Sequence, residues 1–415
     1  MNKLFELTQI ENKRQKSTLN LIASENYPSP KTLELLGSIW NDKYAEGYWG
    51  KRYYGGNVNA DTMEQFVIEK ALKVFDPTGE YGVNVQSLSG SPANATVYLT
   101  VLEPGDTVLS LDLASGGHLS HMHATSNWLK FFKYANYSLL SKKHGSGIDE
   151  GDFAAKLKEH KPRLVIIGFS SYPRQYEFAK LCKLAHEAGA LVLADISHIA
   201  GLVAAGEHDS PFKKDGEGAD FVTTTTHKTM RGPRSALIFA KQEYIGAINK
   251  TIFPGTSGGP HLNQIAAVGQ SLLEILGEDE YPDKKPFSDY SKEVIANTKA
   301  LENGLLEAGA EMVSPTQNHL CLVKVPDEMD SLELQTKLEE VGVVTNRNAI
   351  PNDTKSPWRP SGLRLGMAAL TSRGITAEQS RELGVMIGSV MQKSVSDGEV
   401  TKYTTKLANS LNWYY

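Results

Sequence analysis

The chain has 415 residues, 40% hydrophobic and 22% charged, with a formal net charge of −5 at pH 7. That length exceeds a single small core and points to two or three domains, while the charge gives no electrostatic reason to expect nucleic acid or an acidic membrane surface as partner. The only two cysteines, Cys182 and Cys321, exclude a disulfide framework and a cysteine-type zinc site.

The opening stretch "MNKLFELTQIENKRQKSTLN" alternates charged and apolar residues. It reads as a polar amphipathic helix, an arm over residues 1–20 suited to packing on another subunit, and not as a signal peptide. No stretch approaches the roughly 20 apolar residues of a membrane span, so a cytoplasmic protein is expected. Residues 62–75, "TMEQFVIEKALKVF", carry apolar positions at helical spacing.

Short apolar runs then alternate with helical patterns as far as about residue 241. "DTVLSLD" and "RLVIIGFS" read as strands, "FAKLCKLAHEAG" as a helix closed by Gly189, and "ALVLADIS", "ADFVTTTT" and "SALIFAK" as further strands. Near-continuous apolar strands between helices imply an α/β fold with a mainly parallel sheet covered on both faces. The polar stretch "EDEYPDKKPFSDY" marks a boundary. Beyond it, the helix "SKEVIANTKALENGLLEAG", the strand "HLCLVKV", the helix "SLELQTKLEEVG" and a strand at "GLRLGM" form an α+β sequence of their own. The expected division is the arm, a large domain over 21–279 and a smaller carboxy-terminal domain over 280–415.

Ligands of open α/β sheets bind at the carboxyl ends of the strands, so the polar residues following each apolar run are the candidates. Asp195 and His198 follow "ALVLA"; His227 and Lys228 follow the threonine run; Ser170, Ser171 and Tyr172 follow "RLVIIGF". "SLSGSPAN" is a Ser/Gly turn entering a helix near Pro92, and it offers amides and hydroxyls to a phosphate. A strand-end lysine to bind an aldehyde, a strand-end acid to keep a pyridine nitrogen protonated and a phosphate turn are together the parts that hold pyridoxal phosphate. Each part alone is commonplace; their order along a parallel-sheet pattern carries the reading. Thr223 and Thr224 are equally well explained by strand propensity. His118, His121 and His123 have no carboxylate or cysteine among them, and no metal is expected.

Longer motifs cover nearly the whole chain: "LIASENYPSP", "KYAEGYWGKRYYGGN", "SGSPANATVYL", "GGHLSH", "ADISHIAGLVAAG", "TTTTHKTMRGPR", "FPGTSGGP" and "RNAIPNDTKSPWRPSGLRLGMAALTSRG". In this order they resemble serine hydroxymethyltransferases, fold-type-I enzymes dependent on pyridoxal phosphate. The resemblance implies reversible interconversion of serine and glycine, with the one-carbon unit passed to tetrahydrofolate. It also implies a homodimer, or a dimer of dimers, with shared active sites.

Carried over by position, the resemblance makes Lys228 the lysine that binds the cofactor, Asp195 the partner of its ring nitrogen and His118 the imidazole stacked on the ring. Ser89, Gly90 and Ser91 fall on the phosphate turn, which Gly258 and Gly259 would complete from the neighbouring subunit. His198, Ser170, Thr225, His227 and Arg234 are further cofactor-side positions. Arg364, with Ser24, Tyr44 and Tyr54, matches the substrate side, a planar guanidinium being suited to a carboxylate. Glu46, on the "YAEGY" loop, is the implied acid toward substrate or folate if burial keeps it protonated. Leu113, Gly117, His118, Leu119, Asn348, Ser356, Pro357 and Trp358 match folate positions. Four residues depart from the family pattern: Trp49, Leu88, Pro92 and Ser115 stand where proline, histidine, glutamine and histidine are usual.

Two other readings compete. A folate-independent, pyridoxal-dependent β-hydroxy amino acid aldolase would use the same Lys228, Asp195 and Arg364. A catalytically silent binding module is disfavoured by the intact chemistry of these residues.

Overall fold

A computed structural model describes residues 2–140, 147–214 and 216–415. The chain divides into two compact units, one formed by Pro28–Ser170 and Gln175–Ser288, the other by Met1–Tyr27, Ser171–Arg174 and Asp289–Tyr415.

The first unit is built on a seven-stranded sheet. Its strands in chain order are β1 (Tyr81–Asn84), β2 (Thr107–Leu111), β3 (Lys133–Tyr137), β4 (Leu164–Ile167), β5 (Leu191–Asp195), β6 (Phe221–Thr225) and β7 (Ala236–Lys241). Across the sheet the order is β1-β7-β6-β5-β4-β2-β3. The run from β6 to β3 is parallel throughout. β7 is antiparallel to both of its neighbours. The fold is therefore α/β with a large, mostly parallel sheet, as the alternation of strands and helices implies.

The parallel strands are apolar because both faces are covered. Leu164, Val165, Ile167, Val192, Leu193 and Ala194 are fully buried, and each Leu, Ile or Val so placed contributes roughly 1.5–3 kcal/mol relative to exposure. "SALIFAK" reverses direction because the stretch joining β6 to β7 is too short for a crossover; a parallel return needs about a dozen residues or more. That same tight connection carries His227 and Lys228. Gly168 lets β4 approach β5 closely, since a Cβ there would stand 2.4 Å from the carbonyl oxygen of Asp195. β2 lies between β3 and β4, so the chain order reverses there, and the loops at the carboxyl ends of β2, β4, β5 and β6 collect at one edge.

The second unit holds a four-stranded antiparallel sheet of β8 (Glu311–Met312), β9 (Leu320–Lys324), β10 (Asn346–Asn348) and β11 (Gly362–Gly366), in the order β8-β9-β11-β10. Helices Phe287–Glu307 and Ala377–Met391 cross at glycines: a Cβ on Gly384 would lie 2.2 Å from the carbonyl oxygen of Leu301, and one on Gly388 would lie 2.6 Å from the Cβ of Ala308. Only hydrogen fits there, which explains small residues within otherwise good helices. The N-terminal helix Lys3–Ser17 starts on an Asn2 cap and has no buried side chain. Arg373 anchors its end, donating to the carbonyls of Lys16 (2.9 Å) and Thr18 (2.9 Å) and also to Ala408 (2.9 Å) and Asn412 (3.1 Å). Several orphan carbonyls are thereby satisfied by one buried cation.

Candidate active site

Lys228 lies just beyond β6 and is 9% exposed. Its Nζ donates to Thr225 Oγ1 at 3.0 Å, which directs the amine back along the strand end. Of the four threonines, Thr225 holds the lysine, whereas Thr224 donates only to the Thr225 carbonyl and plays a local structural part.

Asp195, at the end of the adjacent β5, is buried. Burial alone would raise its pKa, but the donors around it reverse the balance. His121 Nε2 at 2.8 Å and Asn94 Nδ2 at 2.9 Å meet Oδ2, and the Ser197 amide meets Oδ1 at 3.0 Å. Together they hold the carboxyl ionised, well below the usual carboxylate range. Ser197 also ties the two strand ends together, its Oγ accepting from the Thr225 amide at 3.1 Å.

Helix Gly90–Val101 brings the Ser/Gly turn to the same place. Ser89 caps it without a side-chain capping bond, and a Cβ on Gly90 would meet Thr225 Cγ2 at 2.8 Å. The turn, whose amides open the helix, therefore packs directly against the threonine that holds Lys228. Pro92, in the first helical turn, removes one of those amides but suits the helix entry.

His118, Gly117 and Leu113 lie on the loop after β2. Ser170, after β4, is joined to that loop by its amide to the Gly116 carbonyl (2.8 Å) and its Oγ to the Gly117 carbonyl (2.7 Å). Gly117 is obligatory, since a Cβ would fall 2.4 Å from the Leu111 carbonyl oxygen. His198 is buried one turn past Asp195, its carbonyl accepting from Thr229 Oγ1 at 3.0 Å. His227 is lowered to about 3 by burial and by the neighbouring charges of Lys228 and Arg234. Arg234 and Leu119 are exposed.

A second cluster forms elsewhere in the same unit. Tyr44 OH donates to Glu46 Oε1 at 3.3 Å, and the carboxylate's charge raises the pKa of that phenol. The rings of Tyr44 and Tyr54 meet edge to face at 4.9 Å. A Cβ on Gly258 would lie 3.1 Å from Glu46 Oε1, and one on Gly259 would lie 3.3 Å from the Tyr44 ring. Tyr44 and Tyr54 are about half exposed and Glu46 is intermediate, so this chain alone does not supply the burial that an acid role for Glu46 requires. Arg52 braces the loop, donating to the carbonyls of Ala45 (2.9 Å) and Gly47 (2.6 Å) on either side of Glu46. The buried carboxylate of Glu64 at 2.7 Å and Asp61 at 2.8 Å balance its charge.

The remaining residues belong to the other unit. Arg364, on β11, is buried; desolvation lowers its guanidinium pKa to about 10, and its Nε donates to Asn346 Oδ1 at 3.2 Å. Ser24 lies beside the same strand, because Gly366 accepts the adjacent Ala23 with only 2.4 Å between a would-be Cβ and the Ala23 Cα. Asn348 is on neighbouring β10, and Ser356, Pro357 and Trp358 lie on the exposed loop before β11, with Ser356 Oγ accepting from the Trp358 amide at 3.3 Å.

The site also contains residues that the sequence reading missed. Asn94 and His121 hold Asp195, Ser120 holds His118, and Arg52 braces the Glu46 loop. Asn94 stands one helical turn after Gly90 and His121 three residues after His118, spacings that place each beside a recognised residue. Among the described residues, no group of three or more histidine, cysteine, aspartate or glutamate side chains is arranged to hold a metal ion.

A family model described as serine hydroxymethyltransferase matches residues 1–387. The chain belongs to the serine hydroxymethyltransferase family. It is 41% identical over 393 residues to a serine hydroxymethyltransferase from Rhodopirellula baltica, covering 94% of this chain and 90% of that protein. It is 42% identical over 410 residues to a serine hydroxymethyltransferase from Desulfotalea psychrophila, covering 98% and 92%. Membership of the serine hydroxymethyltransferase family also accounts for the architecture, that of a fold-type-I pyridoxal phosphate enzyme.

Proposed function

We propose that the cluster at the ends of β5 and β6 is where this enzyme carries out its family's reaction, with Lys228 as the cofactor-binding amine. The family's activity, reversible interconversion of L-serine and glycine with transfer of the one-carbon unit to tetrahydrofolate, is this chain's activity, and pyridoxal phosphate is its cofactor. The observation that carries the placement is the contact of Lys228 Nζ with Thr225 Oγ1 beside a buried carboxylate held ionised by three donors.

The residues fit the cofactor: a buried amine for its aldehyde, an ionised acid for its ring nitrogen, and at Gly90 a turn that a Cβ would obstruct. When bound, the cofactor supplies an aldehyde that captures the substrate amine and a protonated ring that draws electron density from the Cα–Cβ bond of serine. Asp195 keeps the ring-nitrogen proton in place, because its own protonation is opposed by His121, Asn94 and Ser197. Ser89, Gly90 and Ser91 present amides and hydroxyls to the phosphate, with Ser170, His198, His227 and Arg234 as further cofactor-side residues. Thr225 orients the lysine amine, its Oγ1 accepting from Nζ at 3.0 Å, and would hold that amine toward the aldehyde of a bound cofactor. Arg364, with Ser24, grips the substrate carboxylate; a desolvated guanidinium gains most from such an ion partner. Asn348, Ser356, Pro357 and Trp358, with Leu113, Gly117, His118 and Leu119, serve tetrahydrofolate.

Tyr44, Glu46, Tyr54, Gly258 and Gly259 are assigned to the site of a second copy. Their half-exposed state, with Leu4, Phe5 and Ile10 exposed along the N-terminal helix, supports a homodimer. Among the described residues no helix is long and apolar enough to cross a membrane. Two buried free cysteines support a reducing, cytoplasmic setting.

Serine cleavage measured with and without tetrahydrofolate tests the reaction. Turnover that depends on the folate is expected; an equal rate without it would assign the site to an aldolase.

A further inference from the structure

Asn94 is fully buried on helix Gly90–Val101, and every hydrogen-bonding atom of its carboxamide is engaged. Its Oδ1 accepts from Thr223 Oγ1 at 2.6 Å, and its Nδ2 donates to Asp195 Oδ2 and to Ser120 Oγ, both at 2.9 Å. The reverse orientation of the amide would set its oxygen against the Asp195 carboxylate, so these directions are fixed. Ser120 Oγ, accepting a hydrogen bond from Asn94 Nδ2, has its own O–H left to donate to His118 Nδ1 at 2.8 Å. The Ser120 backbone amide donates to the same nitrogen at 3.2 Å, and an N–H can only donate. Two donors therefore meet at His118 Nδ1, and the ring proton belongs on Nε2.

We propose that Asn94 and Ser120 are positioning residues that fix His118 as the neutral Nε2–H tautomer while holding Asp195 ionised. A single carboxamide thus sets the state of both groups that flank the cofactor ring: the acid at its nitrogen and the imidazole on its face. The proposal rests on the assignment of Asp195 and His118 to the cofactor site, whereas the tautomer itself is a property of the polypeptide. Thr223 is the first donor of the relay, which gives that threonine a part beyond strand propensity. Loss of the Ser120 hydroxyl in Ser120→Ala leaves Nδ1 with the backbone donor alone and the second Asn94 N–H without its acceptor. A threonine keeps the relay.

The test is a two-dimensional spectrum of the holoenzyme labelled with 15N-histidine, recorded at pH 7.5, for the parent, Ser120→Ala and Ser120→Thr, alongside kcat and KM for serine. The proposal requires His118 to show an acceptor-type Nδ1 and a protonated Nε2 in the parent. Ser120→Ala should give an altered Nδ1 signal and a roughly tenfold fall in kcat with KM within about twofold, and Ser120→Thr should restore both. A parent His118 protonated on Nδ1, or a signal unchanged in Ser120→Ala, would overturn the proposal. The tautomer is read whether or not serine cleavage depends on folate, so loss of the functional reading and loss of this inference give different results.

Discussion

The cluster around Lys228 and the cluster around Glu46 lie in one unit and are finished to different degrees. At the first, Asp195 has three donors, Asn94 has no spare hydrogen-bonding atom, and Lys228 is seated on Thr225. At the second, Arg52 fixes the loop backbone, yet Tyr44, Glu46 and Tyr54 remain open to solvent. Exposed aromatic side chains such as Tyr44 and Tyr54 are enriched at surfaces that meet a partner. One chain therefore sets the electrostatics around Asp195 by itself, whereas the proposed role of Glu46 needs a second copy to exclude water.

Replacing the amine should have the largest effect. Lys228→Ala is expected to lower serine cleavage by roughly 10³-fold or more, measured at saturating cofactor and folate. A variant as active as the parent would remove the first cluster from the chemistry. Glu46→Gln should leave the visible absorption of the bound cofactor intact and cut folate-dependent turnover by roughly 10²-fold, the scale of a lost general acid. Unchanged turnover would remove Glu46 from the mechanism.

Mixing these two inactive variants sharpens the comparison. In a statistical mixture about half the dimers are hybrids, each with one intact site if the clusters belong to opposite subunits, so about one quarter of the parent activity should return. No recovery after verified subunit exchange would place both clusters in the same site of one chain.

A further prediction concerns stability and not turnover. His227 is partly buried, and its buried Nδ1 has no hydrogen-bond partner among the described residues; its folded pKa of about 3 lies below the unfolded value of about 6.5. Between those values the unfolded chain holds a proton that the folded chain lacks, so this group lowers stability as pH falls from about 6.5 toward about 3. His186 acts in the opposite direction, because its bond to Asp220 raises its pKa. Comparing the parent with His227→Gln isolates the first contribution. The difference between their unfolding free energies should change by about 1.4 kcal/mol per pH unit in that window, and a flat difference would contradict the neutral assignment.

The parallel core strands, the strand-end acid and the lysine were legible in the sequence because apolar runs and polar strand ends carry a local signal. The two strands at the edges of the sheet were not. "YGVN" and "KYANY" mix buried and half-exposed positions and lack the continuous apolar run of a strand covered on both faces. Nor was the antiparallel course of β7 visible, since direction depends on the length of a connection whose ends only the structure defines. At the site, the candidate residues could be named by motif, but those that hold them could not. Asn94 resembles any polar residue on a helix until Thr223, Asp195 and Ser120 surround it, contacts that span up to 129 positions of sequence. His121 gives no local sign that its Nε2 is taken by Asp195. Arg52 gives no local sign that it braces both neighbours of Glu46.

The placement of the chemistry at one amine is tested most directly by reducing the holoenzyme with borohydride, digesting it and locating the cofactor adduct by mass spectrometry. A single adduct on Lys228 is predicted. An adduct on a different lysine, or its persistence in Lys228→Ala, would contradict the placement.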